Sequence, residues 1–111
     1  MNNVIKKGDT FTPLSGVLKD KNGVVDLTPS SSVLLYVRSR SGDVLINGKS
    51  MTVVNAGKGE VKYEWEKEDV LVPGVYGYEI VVVWFNGKKT TFPNSGLNNL
   101  VIENSVREVS L

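Results

Sequence analysis

The chain has 111 residues, 13 basic against 12 acidic, with 41% hydrophobic and 23% charged side chains. That describes one ordinary globular domain, residues 1–111, long enough to fold without metal or disulfide staples and too apolar to be disordered. A net charge of +1 supplies no field for phosphate backbones or anionic lipid, which excludes nucleic acid and membrane as expected partners. With no Cys and no His, thiol nucleophiles, zinc-thiolate sites, catalytic triads and imidazole metal ligands are excluded, and most hydrolytic enzymes with them.

Nineteen Val stand against one Ala and no Gln. β-branched side chains suit a pleated, half-buried surface and Ala and Gln suit a helix, so the chain reads as all-β. The first fifteen residues carry Lys6, Lys7 and Asp9 where a secretory signal needs an apolar run, so residence in the cytosol is expected until assembly. Strands are expected at about 12–19, 33–38, 44–46, 51–55, 60–66, 75–85, 88–92 and 98–103, seven or eight in all. Pro13 makes the first an edge strand or starts it beyond the proline. Asn22-Gly23, Ser41-Gly42, Asn47-Gly48 and Asn86-Gly87 each offer the positive φ of a tight hairpin. Residues 55–59 and 72–74 add looser corners. Val33, Leu35 and Val37 alternate with Leu34, Tyr36 and Arg38, and Val61, Tyr63 and Trp65 with Lys62, Glu64 and Glu66, so each strand has one core face. Tyr76, Tyr78, Ile80, Val82 and Trp84 form the longest one-sided row and the expected spine of the inner layer. Only residues 66–69 could turn helically, for a single turn before Pro73. Residues 106–111 follow the last strand as a frayed tail or a short exported segment. This rhythm of turns predicts an antiparallel β-sandwich.

Four patterns invite a functional reading. Gly42 with Gly48-Lys49-Ser50 looks like a phosphate loop with one residue too many, but strand formers fill it and no helix follows, so it reads as a hairpin. Glu64 and Glu66 point the same way at the roughly 6.5–7 Å spacing of strand neighbours, yet no apolar pocket raises either pKa and they read as a solvated face. Asp20-Lys21-Asn22-Gly23 opens like a calcium loop without its later carboxylate. None of these supports a metal, a cofactor or a catalytic residue. The fourth is Val81, Val83 and Phe85, which alternate onto the face opposite the core spine. A two-layer sandwich gives each strand one interior, so these three are either covered by a loop or exposed as a partner-binding patch.

The chain resembles the Ig-like N-terminal domain of the phage baseplate upper protein family, found in phages and prophages of Gram-positive bacteria. The matching residues run in order through Gly8-Asp9, Pro13-Leu14, Leu18-Lys19-Asp20, Asn22-Gly23, Val25-Asp26-Leu27-Thr28, Val33 and Val37-Arg38. They continue through Gly59-Glu60-Val61-Lys62-Tyr63-Glu64-Trp65, Asp69, Pro73-Gly74-Val75-Tyr76, Glu79, Asn86-Gly87-Lys88 and Thr91-Phe92-Pro93-Asn94. The resemblance covers about residues 8–103 and implies an Ig-like sandwich that acts without catalysis as a structural module of the tail tip. In that family the domain docks on the central baseplate hub, so the implied partners are other tail or baseplate proteins, or further copies of the chain. The implied location is the virion tail, assembled in the host cytoplasm. A cell-surface Ig-like adhesin and a carbohydrate-binding module remain as alternatives, the latter with Tyr36 and Phe85 as its exposed aromatics.

Overall fold

Eleven strands and two single-turn 3-10 helices make up the computed structural model, which describes residues 2–94 and 96–106. The chain opens with β1 (Asn2–Lys6), then β2 (Leu14–Val17), which starts just past Pro13 and lies at the edge of its sheet, as a residue without an N–H requires. A two-residue turn at Lys21-Asn22 joins β3 (Lys19–Asp20) to β4 (Gly23–Val24), with Asp20 Oδ1 accepting from the Asn22 N–H at 2.8 Å. The long strands follow: β5 (Ser30–Ser39), β6 (Val44–Ser50), β7 (Thr52–Asn55), β8 (Glu60–Tyr63), β9 (Gly74–Trp84), β10 (Lys89–Phe92) and β11 (Asn98–Glu103). The 3-10 turns Ala56–Lys58 and Lys67–Val70 occupy the two corners around β8.

The larger sheet has the order β1-β11-β9-β5-β6, with β10 beside the upper half of β9, and the smaller has the order β2-β8-β7. In immunoglobulin lettering β11, β9, β5 and β6 take the places of G, F, C and C′, and β2, β8 and β7 those of B, E and D, the arrangement of an Ig-like β-sandwich. Pairing is antiparallel everywhere except between β1 and β11, which run parallel. At the corner before β9 the Tyr76 hydroxyl donates to the Val72 carbonyl at 2.7 Å, the tyrosine corner of such sandwiches.

The face assignments follow the expected parity. Val33, Leu35, Val37, Val61, Tyr63, Trp65, Tyr76, Tyr78, Ile80 and Val82 are all buried, and Trp84 packs partly buried against them. The rings of Tyr63 and Trp65 meet edge to face at 5.4 Å. Each fully buried Val or Leu contributes about 1.5–3 kcal/mol, so this single two-sided core dominates the fold's stability.

Local differences have physical causes. Asn47-Gly48 is not a turn: β6 runs through it to Ser50, and Gly48 is the extra residue of a bulge between the pairs Leu35↔Lys49 and Tyr36↔Asn47. Its φ of 78° and the Tyr36 side chain lying across it, with the hydroxyl oxygen 3.0 Å and the nearest ring carbon 3.2 Å from where a Cβ would stand, suit glycine. β8 stops at Tyr63, before Glu64, because the chain turns down into the Lys67–Val70 corner. Phe85 falls beyond β9, in the turn leading to β10, where its N–H donates to the Pro29 carbonyl at 3.0 Å. Of the expected tail, Val106 is fully exposed and residues 107–111 lie outside the described residues.

Candidate functional site

The outer face of the larger sheet is set by the parity opposite the core. On β9 it carries Val75, Gly77, Glu79, Val81 and Val83, and on β5 Ser32, Leu34, Tyr36 and Arg38. The register places Val81 beside Leu34, Glu79 beside Tyr36 and Gly77 beside Arg38. On the far side of β5, Asn47 lies opposite Tyr36 and Val44 opposite Arg38.

The opposite edge of β9 is interrupted. β10 ends with Phe92 paired to Ile80, and β11 begins with Asn98 paired to Tyr78, so between these two ladders, among the described residues, Glu79 has no partner on that side. The chain leaves the sheet between them, and the Leu97 side chain comes down over Gly77, where a Cβ would stand 2.7 Å from Leu97 Cδ1. A glycine inside a strand thus marks the close approach of another group. The result is a depression of about 460 Å³ whose lining includes Tyr36, Arg38, Val44, Asn47, Glu79, Val81 and Leu97. Its floor is apolar, and Arg38 and Glu79 bring one charge of each sign to it. Neither enters any of the ion pairs among the described residues.

The expected patch is only partly drawn together. Val81 lines the depression and is half-buried, Val83 is half-buried further along β9, and Phe85 is 76% exposed on the adjoining turn. Of the three only Val81 lines the depression; Val83 lies further along β9 and Phe85 beyond its end, so they are not one row along a strand. Tyr36 and Leu97 line the depression as well. Leu97, in a loop, has no periodicity to reveal it, whereas Gly77 in mid-strand was the available signal.

The other sequence patterns resolve into structural contacts. Lys49, from the phosphate-loop look-alike, reaches Glu66 Oε1 at 3.1 Å and Asp69 Oδ1 at 3.3 Å. Asp69 is 2% exposed, and its Oδ2 accepts from the Tyr63 hydroxyl at 2.7 Å and from the Glu66 N–H at 2.9 Å. This network ties β6 and β8 to the corner before β9. The hydrogen bond with Glu66 raises the Lys49 pKa above the ordinary lysine range, and burial raises that of the Tyr63 hydroxyl. Glu64 stands exposed beside Lys62 at 3.7 Å. No group of three or more acidic side chains among the described residues is placed to hold a metal ion.

No protein-family model matches the sequence, and no curated protein matches it. Among solved structures, the chain is similar to the crystal structure of CopC from Methylosinus trichosporium OB3b, with a TM-score of 0.56 over 97% of this chain and 89% of that one. At 10% identity this likeness shows the fold alone.

Proposed function

We propose that the chain is a non-enzymatic structural module of a phage or prophage tail baseplate, which works by protein–protein docking through the outer face of its larger sheet. The family resemblance supplies the setting. The observation that carries docking is the set of apolar side chains here, half-buried Val81 and Val83 and exposed Leu97, with the 76%-exposed Phe85 on the adjoining turn, on a face where a solitary sandwich ordinarily presents polar side chains. Burying this surface removes apolar area from water, and an exposed aromatic at its rim is the natural anchor. Phe85→Glu should leave the thermal melt nearly unchanged and weaken assembly, whether self-association or binding to tail hub protein, by at least about thirtyfold, or ~2 kcal/mol. A variant that folds and assembles as wild type does would move the docking surface elsewhere.

One observation favours a second reading, a carbohydrate-binding module. Tyr36 shares the depression with Asn47, Glu79 and Arg38, an aromatic ring beside hydrogen-bonding groups that could orient a sugar. Calorimetric titration with saccharides, abolished by Tyr36→Ala, would establish that reading in place of docking.

A further inference from the structure

We infer that the partner of this face is a second copy of the same chain, docked about a two-fold axis that sets Arg38 against the partner's Glu79. The inference rests on the docking reading above and names its occupant.

The argument starts from charge. A half-buried carboxylate, Glu79, and an exposed guanidinium, Arg38, border one apolar depression, and neither joins an ion pair among the described residues. Among the described residues Glu79 has no ladder partner on the β10–β11 side, and on the other side it stands beside Tyr36, one pair along the same face from Arg38. A partner of uniform charge would satisfy one of these groups and repel the other. A surface carrying one charge of each sign is self-complementary: in an isologous interface residue i meets residue j and j meets i, so one axis midway between the two groups makes both ion pairs at once. The net charge of +1 leaves little repulsion between copies. A second apolar row on the same face, Val4, Val101 and Val75, lies beside the hydrogen bond from Arg40 to Asn99 and carries no such pairing information.

The depression and the two charges that border it are smaller than the roughly 800 Å² per partner that a standard stable interface buries. Association is therefore weak and is read at high concentration. Sedimentation velocity of the whole chain from about 10 μM to 1 mM should show a reversible monomer–dimer equilibrium. Arg38→Glu or Glu79→Arg alone should weaken it at least about thirtyfold, because each reversal places two like-charged pairs across the axis. The double variant should return to within about threefold of wild type, and an equimolar mixture of the two single variants should associate where neither does alone. Thermal melts check that each variant folds; one that does not is replaced by Arg38→Gln or Glu79→Gln, with an expected loss of about five- to tenfold.

A wild-type chain that stays monomeric throughout, or single reversals that associate normally, would overturn this pairing. If self-association survives the reversals and is lost with Phe85→Glu, the face docks about a different axis and only this inference falls. If neither the reversals nor Phe85→Glu changes self-association, the copies meet elsewhere and this inference falls; Phe85→Glu against the hub then decides the docking reading separately.

Discussion

Removing the Asp69 carboxylate should be among the most damaging single polar changes in this domain. In Asp69→Ala the buried Tyr63 hydroxyl loses its acceptor at 2.7 Å and the half-buried Glu66 N–H loses its own at 2.9 Å. The first orphaned donor costs about 1–3 kcal/mol and the second about 1 kcal/mol. Lys49, with 41% of its side chain exposed, keeps Glu66 and rehydrates, so its lost contact adds only about 0–1 kcal/mol. The expected loss is about 2–5 kcal/mol, against a total stability of about 5–15 kcal/mol for a domain of ordinary size. Asp69→Asn retains an acceptor oxygen and should cost about 1–2 kcal/mol, and Tyr63→Phe, which deletes the donor itself, about 1 kcal/mol. The double variant Tyr63→Phe/Asp69→Ala should then cost less than the sum of its parts by at least about 1 kcal/mol, because the orphaned hydroxyl is gone. Urea melts that follow the midpoint at constant m-value measure all four. An Asp69→Ala loss below about 1 kcal/mol, or strict additivity in the cycle, would refute the assignment of this carboxylate as the acceptor that closes the corner.

Gly59 has a φ of 63°, and a Cβ there would stand 2.8 Å from the Val25 carbonyl oxygen and 2.9 Å from that of Leu18; Gly59→Ala should cost more than about 2 kcal/mol in the same melts, while Gly57→Ala, with no positive φ and ordinary contacts, should stay within about 0.5 kcal/mol. Stability should also fall in alkali. Burial raises the pKa of Tyr63, Tyr76 and Tyr78 above the ordinary 10.0, and the hydrogen bond with Glu66 raises that of Lys49 above 10.5. The folded chain thus holds protons that the unfolded chain releases, so the contribution is complete below these ordinary values and is lost as pH rises beyond them. Tyr63→Phe should flatten that loss, and a melt profile unchanged from pH 8 to pH 11 would contradict it.

What the sequence disclosed and what it hid divide along one physical line. Alternation identified the core because each strand is buried on one face, so Val33, Leu35 and Val37 or Tyr76, Tyr78 and Ile80 repeat with the period of the pleat. β1 escaped notice because Asn2–Lys6 is a short edge strand whose pairing with β11 joins the two ends of the chain. Asn47-Gly48 misled because an Asn-Gly pair supplies positive φ equally well to a turn and to a bulge, and only the register with β5 distinguishes them. The Lys49–Asp69 contact joins residues from different strands and corners, for which no local spacing exists.

The depression on the outer face has the same origin as these misses. In an uninterrupted last strand some residue would stand opposite Glu79 and complete the sheet edge. Here the chain departs after Phe92 and returns at Asn98, and that departure does two things together: among the described residues it leaves Glu79 without a ladder partner on that side, and it delivers Leu97 onto Gly77. A side chain at position 77 would have to displace Leu97, so the glycine and the departure act as one feature. Periodicity reports only the regular parts of a sheet, whereas a surface that distinguishes one partner from another must depart from regularity somewhere. In this sandwich the departure from regularity lies beside Glu79, which is why Val81 was legible as an unusual outward residue and the depression bordered by Arg38, Glu79 and Leu97 was not.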